Sequence, residues 1–389
     1  MPVISKRAAG IAPSVTLAIT AKAKQMKKEG IDIVGFGAGE PDFDTPDNIK
    51  EAAKKAIDEG FTKYTPASGI PELKQAVCDK LKRENNLDYK LSEVIISCGG
   101  KHSLYNIMEV LLDHGDEAIL PAPYWVTYEE QIKMAGAKPM IVDMTETGLK
   151  LTAESIKRVI SDRTKLLILN TPSNPTGMTV EEEELKKIAH LAVEHDFYIV
   201  SDEVYEHLIY GDNSHISIAS LGEDIKKKTI TMNAVSKTYS MTGWRIGYCA
   251  GPEEIIKAMS NLQSHSTSNP CSIAQKAALE ALNGPQEFLA QWRKEFDERR
   301  KYMVEKLNQM KGINCIEPEG AFYAFPDISG TGLKSMEFTE MLLDEAKVAV
   351  VPGKDFGADN NIRLSYAISM ENIKKGLERL EKFCESLSG

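Results

Sequence analysis

The chain has 389 residues, 42% of them apolar and 27% charged, which suits a globular protein in water and gives length enough for two domains. Its 57 acidic residues against 47 basic ones leave a formal charge of -10, which argues against nucleic acid or an anionic membrane surface as the main partner. No apolar run approaches the roughly 20 residues of a membrane span, the start Met1-Pro2-Val3-Ile4-Ser5-Lys6-Arg7 has no apolar signal core, and the expected location is the cytoplasm.

In chain order, Gly37-Ala38-Gly39-Glu40-Pro41-Asp42-Phe43 comes first, where the bare Gly39 backbone offers an N–H for close approach of a carboxylate. Val94-Ile95-Ile96-Ser97 reads as a strand that passes through Cys98-Gly99-Gly100 into a helix near residues 101–112. Free N–H groups and the helix dipole at that start favour a phosphate. Glu117-Ala118-Ile119-Leu120 is the next strand. It leads through Pro121-Ala122-Pro123-Tyr124 to Trp125, whose indole can stack on a flat ring. Lys165-Leu166-Leu167-Ile168-Leu169 precedes the turn Asn170-Thr171-Pro172-Ser173-Asn174-Pro175-Thr176-Gly177, which presents Asn174. Phe197-Tyr198-Ile199-Val200-Ser201 ends at Asp202, with Tyr205 close behind.

A β-branched run, Thr229-Ile230-Thr231-Met232-Asn233-Ala234-Val235, then opens into Ser236-Lys237-Thr238-Tyr239-Ser240-Met241-Thr242-Gly243-Trp244-Arg245. Strands alternating with helices predict an α/β fold with a largely parallel sheet covered on both faces. Ligands of such sheets bind beyond the carboxyl ends of the strands. Gly100, Trp125, Asn174, Asp202 and Lys237 all fall there. After Gln291 the pattern changes to a long charged helix, Arg293–Met310, and a compact α+β tail containing Pro318-Glu319-Gly320-Ala321-Phe322-Tyr323 and Val348-Ala349-Val350-Val351. The expected division is an N-terminal segment (1–47) packing with the small domain, a large domain (48–291) and a small C-terminal domain (292–389). Cys78, Cys98, Cys249, Cys271, Cys315 and Cys384 form no Cys-x-x-Cys pair and have no histidines at metal spacing, so mostly buried thiols and no metal are expected.

The chemistry follows from residue types. Lys237 can condense with an aldehyde while Arg245, eight positions on, grips a phosphate with its planar fork, so the pair suits a cofactor carrying both groups. Ser236 and the Gly99-Gly100-Lys101 helix start would complete the phosphate cup. A cofactor ring that drains electrons through its nitrogen needs a carboxylate against it, and Asp202 is the candidate. Tyr205 and Asn174 could hydrogen-bond the ring hydroxyl. Arg363, in Asn361-Ile362-Arg363-Leu364-Ser365, lies in an apolar β-like run and is costly to bury without an anion. A substrate α-carboxylate is one partner, and a structural ion pair with an Asp or Glu is the other reading. Lys101 taken alone could be a solvated lysine at a helix start, and Asp202 alone could be a helix cap.

Together these segments resemble the class I, fold-type I pyridoxal-phosphate aminotransferases, closest to aspartate aminotransferases of bacterial subgroup Ib. The resemblance runs essentially end to end. It implies a seven-stranded, mostly parallel sheet between helices, pyridoxal 5'-phosphate on Lys237 as Schiff-base lysine, and exchange of an amino group between L-aspartate and 2-oxoglutarate in two half-reactions. It also implies a homodimer with active sites at the interface, where Tyr64 reaches the neighbouring subunit's phosphate. Lys101 would take the distal carboxylate of the substrate, since Ser264–Asn269 shows no clear match to the arginine other subgroups use. Ser14 and Thr16 fall in the segment that resembles the family's closing lid. An aminotransferase of aromatic, alanine or prephenate specificity, or a carbon–sulfur lyase on the same scaffold, remains open.

Overall fold

The computed structural model describes residues 3–11 and 15–387. Its strands in chain order are β1 (Val34–Gly35), β2 (Val94–Ser97), β3 (Glu117–Ala122), β4 (Lys138–Asp143), β5 (Thr164–Asn170), β6 (Tyr198–Asp202), β7 (Thr229–Ala234), β8 (Gly247–Ala250), β9 (Tyr323–Ala324), β10 (Val348–Ala349), β11 (Val351–Pro352) and β12 (Ile362–Ser365). Seven form one sheet in the order β2-β8-β7-β6-β5-β3-β4. Pairings from β4 across to β7 are parallel, whereas β8 runs antiparallel to both β7 and β2. The expected α/β architecture is present.

Alternation along each strand builds the two covered faces. In β5, Leu166 and Ile168 join the core that includes Ile107 and Met108 of the helix Gly100–Leu111. Leu167 and Leu169 join the opposite core with Ile188 and Leu185 of the helix Glu182–Glu194. A strand buried on both sides must be apolar throughout, which explains the unbroken Leu166–Leu169 run. A third core gathers Phe296, Met303 and Leu307 of the helix Phe288–Gln309 with β9, β12 and the helix Met370–Ser386. Val34 and Phe36 belong to it, and β1 pairs in parallel with β10, so the residues just before Gly37 are tied to the C-terminal part of the chain.

Local differences from the sequence reading have simple causes. The charged helix begins at Phe288 rather than Arg293 and so runs through residue 291. The first site helix starts at Gly100. Strand β4, whose apolar run Met140-Ile141-Val142 the sequence reading did not single out, carries exposed and half-exposed positions over most of its length. Strand β8, within the motif region, has four buried residues but only Tyr248 as a large side chain. Cys78, Cys249, Cys315 and Cys384 are buried, Cys98 is half-buried and Cys271 is exposed, and none of them forms a disulfide. No helix among the described residues is long and apolar enough to cross a membrane.

At Gly247, the first residue of β8, a Cβ would fall on the backbone of Gly99 and Gly100 at the start of the site helix. Neither neighbour can swing aside, as both atoms are main chain. Gly247→Ala should therefore lower stability by about 1–3 kcal/mol, read as a shift in the urea midpoint. An unchanged midpoint would show that the helix start is free to move.

Candidate active site

The ends of three strands deliver polar side chains to one place because β5, β6 and β7 are adjacent and parallel, in register Asn170↔Asp202 and Asp202↔Met232. Lys237 sits in the short helix Val235–Thr238 directly after β7. Its amine donates to the carbonyl of Gly39. Burial pulls this lysine down to about 8, and Arg363 and Arg245 add to that, against the opposing pull of Glu40 and Asp202.

Asp202, at the end of β6, is 2% exposed. Burial pushes its carboxyl up to about 6, although the Tyr128 hydroxyl, donating at 2.6 Å, and the Val204 N–H, donating at 3.2 Å, both hold it down. Tyr205 places its hydroxyl 2.9 Å from that of Tyr323. Beyond β5, the Asn170 side chain accepts from the Asn174 N–H at 2.8 Å and donates to the Asp202 carbonyl at 3.1 Å, which locks the turn onto β6.

Arg363, in β12, is 2% exposed. Its Nη1 donates to Asn174 Oδ1 at 2.9 Å and its Nη2 to the Gly37 carbonyl at 3.3 Å. The guanidinium lies 4.5 Å from the Tyr323 ring centre and 5.1 Å from that of Phe356. Its Nε has no partner, and no acidic side chain among the described residues pairs with it. The structural ion pair is therefore absent. A buried cation held by neutral oxygens and ring faces, with a donor to spare, has the chemistry to take an anion.

On the other side, Gly99 has φ +91° and a Cβ there would meet the Arg245 guanidinium, so the bare glycine lets that side chain lie across the start of the helix Gly100–Leu111. Arg245 itself donates to the Thr242 carbonyl at 2.9 Å. Ser236 is buried beside Lys237. Amides of a first helical turn have no partner within the helix. With Arg245 and Ser236 they form a set of donors that could hold a phosphate. The Lys101 ammonium lies 4.8 Å from the centre of the Trp125 ring. Burial draws it down and Arg245 adds to this, while no carboxylate among the described residues pairs with it. Trp125 packs edge-on to Tyr128, with centroids 5.4 Å apart.

Most of the sequence-derived residues are thus linked by contacts. Gly39 contributes its carbonyl to Lys237, a role not foreseen. Tyr64 is 91% exposed and makes no contact with these groups. Ser14 lies outside the described residues. Thr16 belongs to the helix Val15–Lys28, and its side chain is likewise outside them. Three residues that matter here were missed: Tyr128, Tyr323 and Gly37. Tyr128 follows Trp125 by one helical turn, the one local signal that could have flagged it.

The chain matches the family described as Aminotransferase class I and II over residues 31–380. It is 50% identical over 391 residues to the aspartate aminotransferase of Bacillus subtilis (strain 168), covering 99% of this chain and 100% of that one. It is also 50% identical over 400 residues to the aspartate/prephenate aminotransferase of Cereibacter sphaeroides, with 100% of both chains covered. A solved structure of Thermus thermophilus aspartate aminotransferase with maleate superposes with a TM-score of 0.95 at 44% identity, over 98% of this chain and 100% of that one.

The lowered amine makes a direct prediction. In cofactor-free protein, the rate of Lys237 acetylation by acetic anhydride, followed by peptide mass spectrometry, should rise with a midpoint near pH 8, because the reactive neutral form appears as the proton leaves. A midpoint in the ordinary lysine range would mean that the burial is not felt.

Proposed function

The chain belongs to the class I and II aminotransferases, and from that premise we propose that it moves the amino group of L-aspartate to 2-oxoglutarate with pyridoxal 5'-phosphate as cofactor. One observation carries the substrate choice. Two cations of the site, Arg363 and Lys101, meet no carboxylate among the described residues. A dicarboxylic substrate supplies two. The maleate found with the Thermus relative is also a dicarboxylate.

The residues fit the cofactor. Lys237 would hold its aldehyde end. Ser236, Arg245 and the Gly99-Gly100-Lys101 turn would hold its phosphate, where the bare α-carbon of Gly99 leaves room beneath Arg245. Asp202 would face the ring nitrogen, Asn174 and Tyr205 the ring hydroxyl, and Trp125 the ring plane. When bound, the cofactor supplies an aldehyde and a ring that withdraws charge from the carbon losing its proton.

The protein's share is orientation, charge and proton movement. Arg363 binds the α-carboxylate as a planar fork, with Asn174 fixing its outer nitrogen and the Gly39 backbone alongside. Lys101 binds the distal carboxylate. Both contacts gain strength in a site shielded from water. The Lys237 amine, lowered to about 8, is poised to take the proton from the substrate α-carbon and return it. Asp202 stays beside the ring as a carboxylate at neutral pH, since its carboxyl is raised only to about 6. We assign Ser14 and Thr16 to a segment that closes over bound substrate, and Tyr64 to a contact across a homodimer interface, in line with its exposure. The same reading divides the chain near residues 47 and 291.

The test adds single amino acids to the loaded enzyme without an oxo acid and follows the cofactor absorbance. Conversion should be fastest with aspartate and glutamate. Fastest conversion with aromatic donors would move the substrate while keeping the scaffold, and amino transfer to prephenate would widen the acceptor range. Arg363→Ala should lower kcat/KM about 30-fold or more for every donor, because a buried charged partner is lost. Lys101→Ala should cost about tenfold with aspartate and glutamate only. An equal loss with alanine would remove Lys101 from the distal site.

A further inference from the structure

The turn after β6 has two faces. Asp202 and Tyr205 reach Tyr128 and Tyr323, whereas Glu203 and Glu206, each one position further on, reach a separate buried network. Glu203 is fully buried, and its carboxylate takes four donors. The Ser201 and Ser217 hydroxyls each donate at 2.7 Å, the Asn85 amide at 3.2 Å, and the His215 ring lies at 2.9 Å. Glu206 accepts from Asn85 at 2.7 Å, from Asn233 at 2.5 Å and from the ammonium of Lys80. Lys80 is 1% exposed, and its other partners are Asn85 at 2.7 Å and Glu84 at 3.5 Å.

These groups come from separate elements: the helix Pro71–Asn85, the turn, the stretch around 215–217, and β7. Asn233 is the link to the reacting end. Its side-chain oxygen accepts from the Ala234 N–H at 2.7 Å, at the entry to the short helix bearing Lys237, while its amide grips Glu206. Charge balance explains the histidine. Burial pulls His215 down, but the Glu203 carboxylate beside it, helped by Glu206 and opposed by Lys80, leaves it above its ordinary range. Glu203, Glu206 and His215 have ligand atoms close enough to hold a metal. However, the Lys80 ammonium already stands against Glu206 as the cation of the cluster.

We propose that Lys80, Glu203, Glu206 and His215 are positioning residues for the transamination: their buried cluster clamps the back of the turn, so that Asp202 and Tyr205 keep a single geometry at its front. This rests on the reading of Asp202 as the partner of the ring nitrogen. Full satisfaction of every carboxylate oxygen is what makes such a clamp rigid, since each shift of the turn would strand a buried charge. Glu203 acts on Asp202 through space as well. Its negative charge adds to burial in raising the Asp202 carboxyl, against Tyr128, Val204 and the Lys237 ammonium.

Two variants test the clamp. Glu203→Gln keeps the shape and removes one charge. Lys80→Met combined with Glu206→Gln removes the ion pair as a unit, so no ammonium is left buried without its carboxylate. The Asp202 carboxyl is titrated by carbon-13 NMR in cofactor-free protein, with Asp202→Asn identifying its signal, and kcat and KM for aspartate are measured on the loaded enzyme. Glu203→Gln should move the Asp202 midpoint down from about 6, toward the ordinary carboxylate range. Both variants should lose about tenfold in kcat with KM within about twofold, because the turn touches the reacting ring rather than the substrate carboxylates. If the variants fold cooperatively and both the Asp202 titration and kcat stay at parental values, the cluster is packing alone and the proposal is wrong. If one variant fails to fold, the other decides by the same two readings. Full kcat in Asp202→Asn would instead overturn the functional reading of Asp202, while the titration would still judge the clamp.

Discussion

A buried guanidinium with no acid among the described residues to neutralise it is the constraint around which this site is arranged. Arg363 is held by Asn174, by the Gly37 carbonyl and by the ring faces of Tyr323 and Phe356. Those partners lie on the N-terminal stretch, the turn after β5 and the C-terminal part of the chain. Neutral oxygens and aromatic faces orient a cation without neutralising it, so an uncompensated positive charge stands at this point of the fold. Moving any one of the three segments would disturb the fork, and the N-terminal stretch also receives the Lys237 amine at Gly39.

Burial then sets the proton chemistry. The same desolvation acts in opposite directions on an acid and a base, lifting Asp202 to about 6 and drawing Lys237 to about 8. Each is displaced toward neutral pH, which leaves Asp202 charged and Lys237 able to give and take a proton within one narrow range. Neither shift runs to its limit. Tyr128 and the Val204 N–H restrain the acid, while Glu40 and Asp202 restrain the base.

The parallel sheet explains why these groups meet at all. Adjacent strands β5, β6 and β7 end together, and each is followed by a turn whose first polar residues project past the sheet. Placing a second network directly behind the β6 turn uses its back face as well. The carboxylates of Glu203 and Glu206 are neutralised within the core by Lys80 and His215, separate from the charges that face the ligand.

The sequence by itself determined the strand–helix alternation, the residues at the strand ends and the pairing of Lys237 with Arg245, because these are local facts of period and spacing. Asp202, Asn174 and Arg363 could be named for the same reason: each is a polar residue breaking an apolar run or occupying a tight turn. The choice between an anion site and an ion pair for Arg363 was beyond its reach, since Asn174 lies 189 positions away and the absence of an acid is a property of the whole surroundings. Tyr128, 74 positions from Asp202, and the cluster around Glu203 and Glu206 looked like ordinary helix and surface residues. Only tertiary packing decided their surroundings, because burial and the identity of a charge's neighbours arise when distant segments close on one another. No local pattern records which segments those will be.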